Sequence, residues 1–187
     1  MVDPFDTLGI TPSFDLDLPS VEKRYRELAR VAHPDRHLGG SPGERRIALG
    51  KAVEVNEAWR LLRDPIRRAE ALLRRHGVHI EEGKEPKADP EFLMEMLEQR
   101  EALSEARTSG DPAAVERLAI AIRKREKEIL ARIGATFATA LPSAGANGAL
   151  DKVTALLGEL RYYRRFLDEV SAIEDGFSER ASAVSDD

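Results

Sequence analysis

Few residues in this chain have the type and spacing for chemistry, and the informative ones lie in the run His33-Pro34-Asp35-Arg36. His33 and His37 are four apart, as ligands on one helical turn would be. Pro34, however, interrupts any helix that would put both on one face, and no third ligand is evident. His76 and His79 straddle Gly77 at an expected helix end and read as surface residues. No glycine-rich phosphate loop and no nucleophile elbow appear, and no Ser or Asp stands at a telling distance from a base. The chain has no cysteine, so it makes no disulfide and offers no thiolate to zinc or to an iron-sulfur cluster. No catalytic residue, no metal site and no cofactor is expected. What remains at this tetrapeptide is the Asp35 carboxylate. It can close a turn on its own backbone, or it can be held out to a cation on another protein.

The flanking segments say how that carboxylate is positioned. Before it, Val21, Tyr25, Leu28 and Ala32 fall at helical spacing and can bury one face, while Lys23, Arg26 and Arg30 line another. Pro34 disfavours helical geometry at His33 and cannot donate a backbone hydrogen bond, so this helix ends where the loop begins. Further upstream, Asp3-Pro4-Phe5-Asp6-Thr7-Leu8-Gly9 reads as a short capped helix with Phe5 and Leu8 turned inward and Gly9 as its stop. Downstream, Val53, Asn56, Trp59, Leu61 and Leu62 precede Asp64-Pro65, which ends another helix. The loop is thus held beside a cationic stripe, to which Arg24 and Arg36 add charge. Taken alone, such a stripe also reads as an ordinary solvated face.

Composition narrows the class. At 187 residues, 34% charged, 42% hydrophobic and 5% aromatic, the chain suits one medium or two small helical domains. No apolar run approaches the roughly 20 residues of a membrane span, and the N-terminus lacks a basic-then-apolar secretion pattern, so a cytoplasmic location is expected and no membrane partner. Residues 1–76 hold 14 Lys and Arg against 12 Asp and Glu, whereas residues 77–187 hold 15 against 22. The two halves should face different partners. The net charge of −5 and the acidic second half argue against a nucleic-acid-binding role for the arginines. The polar stretch 77–89 has the glycine, proline and charge content of a linker, and residues 175–187 read as a disordered acidic tail.

Residues 90–174 read as three helices in an antiparallel bundle, which makes the whole chain all-α. Thr108-Ser109-Gly110 breaks the first helix, Asp111-Pro112 starts the second, and the stretch Leu141–Gly148 turns into the third. Val115, Leu118, Ile122, Ile129, Ile133 and Phe137 form one apolar face, and Val153, Leu157, Leu160, Tyr163, Leu167 and Val170 another. The first helix is apolar on two faces. Phe92, Met96 and Leu103 cluster on one side, while Leu93, Met94, Leu97, Glu98 and Glu101 cluster on roughly the opposite one. Pattern alone fits a second buried seam and a binding surface equally well.

The order of short helix, basic helix, His-Pro-Asp loop and apolar helix over residues 1–76 resembles the J domain, which activates chaperone ATPases of the DnaK type. The run Leu62-Arg63-Asp64-Pro65-Ile66-Arg67-Arg68-Ala69-Glu70-Ala71-Leu72-Leu73, the run Asp89–Glu101 and the late run Tyr163-Arg164-Arg165-Phe166-Leu167-Asp168 narrow the resemblance to the HscB family. That resemblance implies a co-chaperone of iron-sulfur cluster assembly that brings the scaffold protein IscU to the chaperone HscA. It implies that His33, Pro34 and Asp35, with Lys23, Arg24, Arg26, Arg30 and Arg36, meet the chaperone. It also implies that Leu93, Met94, Leu97, Glu98, Glu101 and Phe166 meet the scaffold, with Phe166 off the core stripe of its helix. A J protein with an unrelated client would share the first half alone.

Overall fold

The computed structural model describes residues 2–185 apart from 38, 40, 81–87 and 141–146, with side chains throughout except at 34, 37, 147 and 180–185. The described residues form helices α1 (Pro4–Leu8), α2 (Leu18–Val31), α3 (Pro42–Arg63), α4 (Pro65–Arg75), α5 (Pro90–Ser109), α6 (Pro112–Ala140) and α7 (Asn147–Ser185), with a 3-10 turn at Pro34–His37 and no strand. They fall into two units. Unit 1 is Met1–Ile80 with Phe137–Ala146, and unit 2 is Glu81–Thr136 with Asn147–Asp187. Much of the expected linker and turn, 81–87 and 141–146, lies outside the described residues.

Helix starts in both units share one device, a small acidic or hydroxyl residue followed by proline. Asp3 caps α1 by accepting from the Phe5 N–H at 2.8 Å, and Asp64 caps α4 by accepting from the Arg67 N–H at 2.9 Å. Ser41 and Glu44 cap α3 reciprocally, the Ser41 N–H donating to Glu44 at 2.7 Å and the Glu44 N–H to Ser41 at 3.3 Å. Asp89 and Asp111 do the same for α5 and α6. Proline fits because the first helical N–H has no intrahelical partner anyway. Each such cap is worth about 1 kcal/mol.

In unit 1, α1 and α2 pack on α3 around Phe5, Leu8, Val21, Val55, Ala58, Leu61 and Leu62, all buried. Gly9 ends α1 in the left-handed region at φ 64°, which glycine adopts without a Cβ penalty. On α3 the seam runs through Val55, and Val53 stays exposed. A second cluster was not legible as one. Phe137, read from the sequence as part of the bundle's apolar face, belongs to unit 1, where its ring stacks on Phe14 at 5.8 Å. The buried Arg68 guanidinium lies 5.0 Å from the other ring's centroid and donates to the Leu62 carbonyl at 2.7 Å, capping the end of α3. Burial pulls its pKa below the usual arginine value against the opposing fields of Asp15 and Asp64.

In unit 2, α5 packs on α7, with Phe92 edge-on to both Tyr162 and Tyr163 at 5.6 Å. Arg125 of α6 pairs with Glu95 of α5, and Arg164 of α7 with Glu126 of α6 at 2.9 Å, so polar pairs tie all three helices. Val115, Ile122, Ile129 and Ile133 are buried, as are Val153, Leu157, Leu160, Tyr163 and Val170. The expected disordered tail is corrected. Helix α7 runs on through Ser185, because nothing after Asn147 breaks it: there is no proline, Gly176 is a tolerated interruption, and Ala181 and Ala183 are strong helix formers.

Candidate partner-binding sites

The His33–Arg36 run sits where α2 gives way to the 3-10 turn, which packs against α3. The Asp35 N–H donates to His33 Nδ1 at 3.3 Å and the Arg36 N–H to the His33 carbonyl at 3.1 Å. Asp35 Oδ2 stands 3.6 Å from His33 Nδ1, and the carboxylate side chain is 77% exposed. The turn is therefore closed by its backbone and by His33, and the charge of Asp35 is left facing solvent. Of the two uses the sequence allows, the carboxylate is not consumed in closing the turn.

The basic residues divide into two groups. Arg26 is paired with Glu22 at 2.6 Å, while Arg24 pairs with Glu27 at 3.7 Å and donates to the Leu8 carbonyl at 3.2 Å, which fastens α2 to the end of α1. Lys23, Arg30 and Arg36 are exposed and have no ion pair among the described residues. At the base of the turn, an open cleft of about 600 Å³ lies between α2 and α3, lined by Leu28, Val31, Ala32, Arg36, Ile47 and Val55 among others. Val31 and Ile47 are 62% and 72% exposed there. Both were missed in the sequence; their only signal was that Val31 falls off the stripe of Val21, Tyr25, Leu28 and Ala32.

On unit 2, burial decides between the two uses of the first bundle helix. Phe92, Met96, Leu103 and Ala106 of α5 are buried, so the core seam is on their side. Leu93, Met94 and Leu97 are 39%, 60% and 51% exposed, and Glu98 and Glu101 are exposed beside them. Five of the six residues named for the scaffold thus share one open face, apolar at the centre and carboxylate at the side. Phe166 does not join them. It is fully buried, because it lies three residues after Tyr163 and four before Val170, on the core stripe itself; Leu167 is the half-buried one. No helix among the described residues is long and apolar enough to cross a membrane, and no cluster of His, Asp or Glu among them has metal-binding geometry.

Comparison with known proteins bears on the family and the fold. Residues 3–71 match the DnaJ domain, and residues 88–171 match the HSCB C-terminal oligomerisation domain. A co-chaperone protein HscB homolog from Shewanella frigidimarina is 31% identical over 173 residues, covering 92% of this chain and 97% of that one. A homolog from Bordetella petrii is 42% identical over 113 residues, or 60% of this chain and 65% of its own. Among solved structures, chaperone HscB from Vibrio cholerae superposes with a TM-score of 0.80 at 27% identity, covering 94% of this chain and 99% of that one. The human co-chaperone HscB gives 0.81 at 25% identity, covering 93% and 83%. With a J domain ahead of the HscB-specific bundle and relatives matched over nearly their whole length, the chain belongs to the HscB family of co-chaperones.

Proposed function

We propose that this co-chaperone binds an IscU-like iron-sulfur scaffold through the exposed face of α5 and presents it to an HscA/DnaK-type chaperone, whose ATPase it stimulates through Asp35. The observation that carries this reading is the two-faced α5, which keeps Phe92, Met96 and Leu103 in the core while Leu93, Met94 and Leu97 stay open beside Glu98 and Glu101. Apolar anchors of this kind supply affinity, and Glu98 and Glu101 select a basic rim on the scaffold. At the other unit, the outward Asp35 carboxylate suits a charge-assisted pair with an arginine of the chaperone, and Lys23, Arg30 and Arg36 steer the encounter with an acidic surface. Holding both partners on one chain raises their effective concentration toward ~mM, so that scaffold meets chaperone as hydrolysis is triggered. The hydrolytic groups belong to the chaperone.

Two variants test the two contacts separately. Asp35→Asn should abolish stimulation of the chaperone ATPase with the melting temperature unchanged, since it alters one exposed loop charge. Leu93→Ala with Leu97→Ala should weaken scaffold binding by about tenfold or more, at over ~1 kcal/mol per anchor, while stimulation without scaffold persists. Full stimulation by Asp35→Asn would refute the chaperone contact. Normal scaffold binding by a well-folded double variant would leave a J protein whose client is something else.

A further inference from the structure

The chain has three methionines and no cysteine, so every sulfur it carries is a thioether. Two of them stand two residues apart on α5 and differ sharply. Met94 is 60% exposed on the face that also carries Leu93, Leu97, Glu98 and Glu101, whereas Met96 is 3% exposed in the core. An exposed thioether is open to two-electron oxidants, and a buried one is shielded from them. We propose that Met94 is a reversible oxidation site, through which peroxide controls the affinity of the α5 face for its partner. The inference rests on the scaffold reading above.

The chemistry is an oxygen transfer. A lone pair of the Met94 sulfur attacks the terminal oxygen of hydrogen peroxide or an alkyl hydroperoxide; the S–O bond forms as the O–O bond breaks, and the departing oxygen takes up a proton and leaves as water or alcohol. Sulfur loses two electrons and the peroxide gains them. The product sulfoxide carries a strong dipole and an acceptor oxygen in a face whose contacts are apolar. Docking must then strip water from that oxygen without giving it a donor, and desolvating an unpaired polar group on this scale lowers affinity by about tenfold. Solvent exposure also leaves the sulfoxide accessible to a thiol-dependent methionine sulfoxide reductase, which reverses the change. Met96, facing inward on the same helix, stays reduced.

The test uses the full-length protein, treated with hydrogen peroxide, freed of oxidant and then titrated with purified IscU-type apo-scaffold that has not met peroxide. Mass spectrometry should find oxygen added at Met94 well before Met96, with helicity unchanged. Affinity should fall about tenfold and return after treatment with the reductase. Met94→Leu, titrated before and after the same peroxide treatment, should show no change in its own affinity. Oxidised parent that binds as tightly as before would overturn the inference, and so would a Met94→Leu protein that loses affinity on the same treatment. Failure of the untreated parent to bind scaffold at all would instead strike the scaffold reading, which separates the two.

Discussion

The two regions proposed to meet partners are built in opposite ways. In unit 1 the charge proposed to meet the chaperone is carried by a four-residue 3-10 turn, shaped by the end of α2, the backbone bonds of His33 and the capping box that starts α3. In unit 2 the proposed contact face is the outside of a regular helix whose inside is core, so on this proposal the same backbone serves folding and recognition. A polar contact can be hung on a turn with little consequence for stability. An apolar one on a helix inherits its position from the packing beneath it, and its limits are set by which side chains the neighbouring helix covers.

That contrast is sharpest at Phe166 and Leu97, both put forward as scaffold contacts by sequence, one fully buried and one 51% exposed. Phe166→Ala should destabilise unit 2 by about 3–5 kcal/mol, while Leu97→Ala should stay within about 0.5 kcal/mol, as read by urea unfolding followed by circular dichroism. Equal costs would mean that the outer face of α5 is a second core seam, and the comparison would collapse.

Unit 1 has its own interior dependence, centred on Arg68. Arg68→Met keeps the apolar stem but leaves the Leu62 carbonyl without its donor, so a loss of about 1–3 kcal/mol is expected. Native-state hydrogen exchange should localise the loss to amides of α1–α4 and spare α5. A variant as stable as the parent would show instead that the cost of burying the guanidinium cancels what it gains, as happens for some buried charges.

The smallest effect concerns Glu159 of α7, half-exposed, whose carboxyl is raised above its ordinary value mainly by burial, with Asp89 adding to the rise and Arg132 opposing it. A raised carboxyl means that folding penalises the charged form. The penalty is absent below the ordinary carboxylate range, where both states are protonated, and complete above the raised value. Glu159→Gln should therefore melt slightly higher than the parent at pH 7, by less than ~1 kcal/mol given its exposure to solvent screening, and the gap should close below about pH 4. A gap that persists in acid would assign it to packing rather than charge.

What the sequence made legible follows the same division. The ends of α1 and α2 could be read because glycine admits a left-handed stop and proline restricts the backbone before it, and the two-faced α5 because its periodicity is complete within one helix. Phe166 was misplaced by one position around its helix: spacing marks a stripe about 100° wide but not which edge the neighbour covers. The cluster of Phe14, Arg68 and Phe137 could not be read at all, since its members lie 54 to 123 residues apart in the chain and nothing local to any of them announces the others. The continuation of α7 to Ser185 was hidden by a composition that resembles a tail but contains no residue that must stop a helix.

Trp59 is the only tryptophan in the chain, and its ring stacks on Tyr25 at 5.5 Å and 13°, with the Tyr25 hydroxyl donating to Asn56 Oδ1 at 3.0 Å. Both rings are half-buried, and Tyr25 directly precedes Arg26 of the basic stripe. The protein therefore carries one tryptophan fluorophore, tied to α2 and α3 and absent from the bundle. Its emission registers events on α2, the helix proposed to meet the chaperone, while the tyrosines of α7 leave the 295 nm excitation window to it almost entirely. Selective excitation turns a two-partner binding problem into one in which one partner is seen optically without any label.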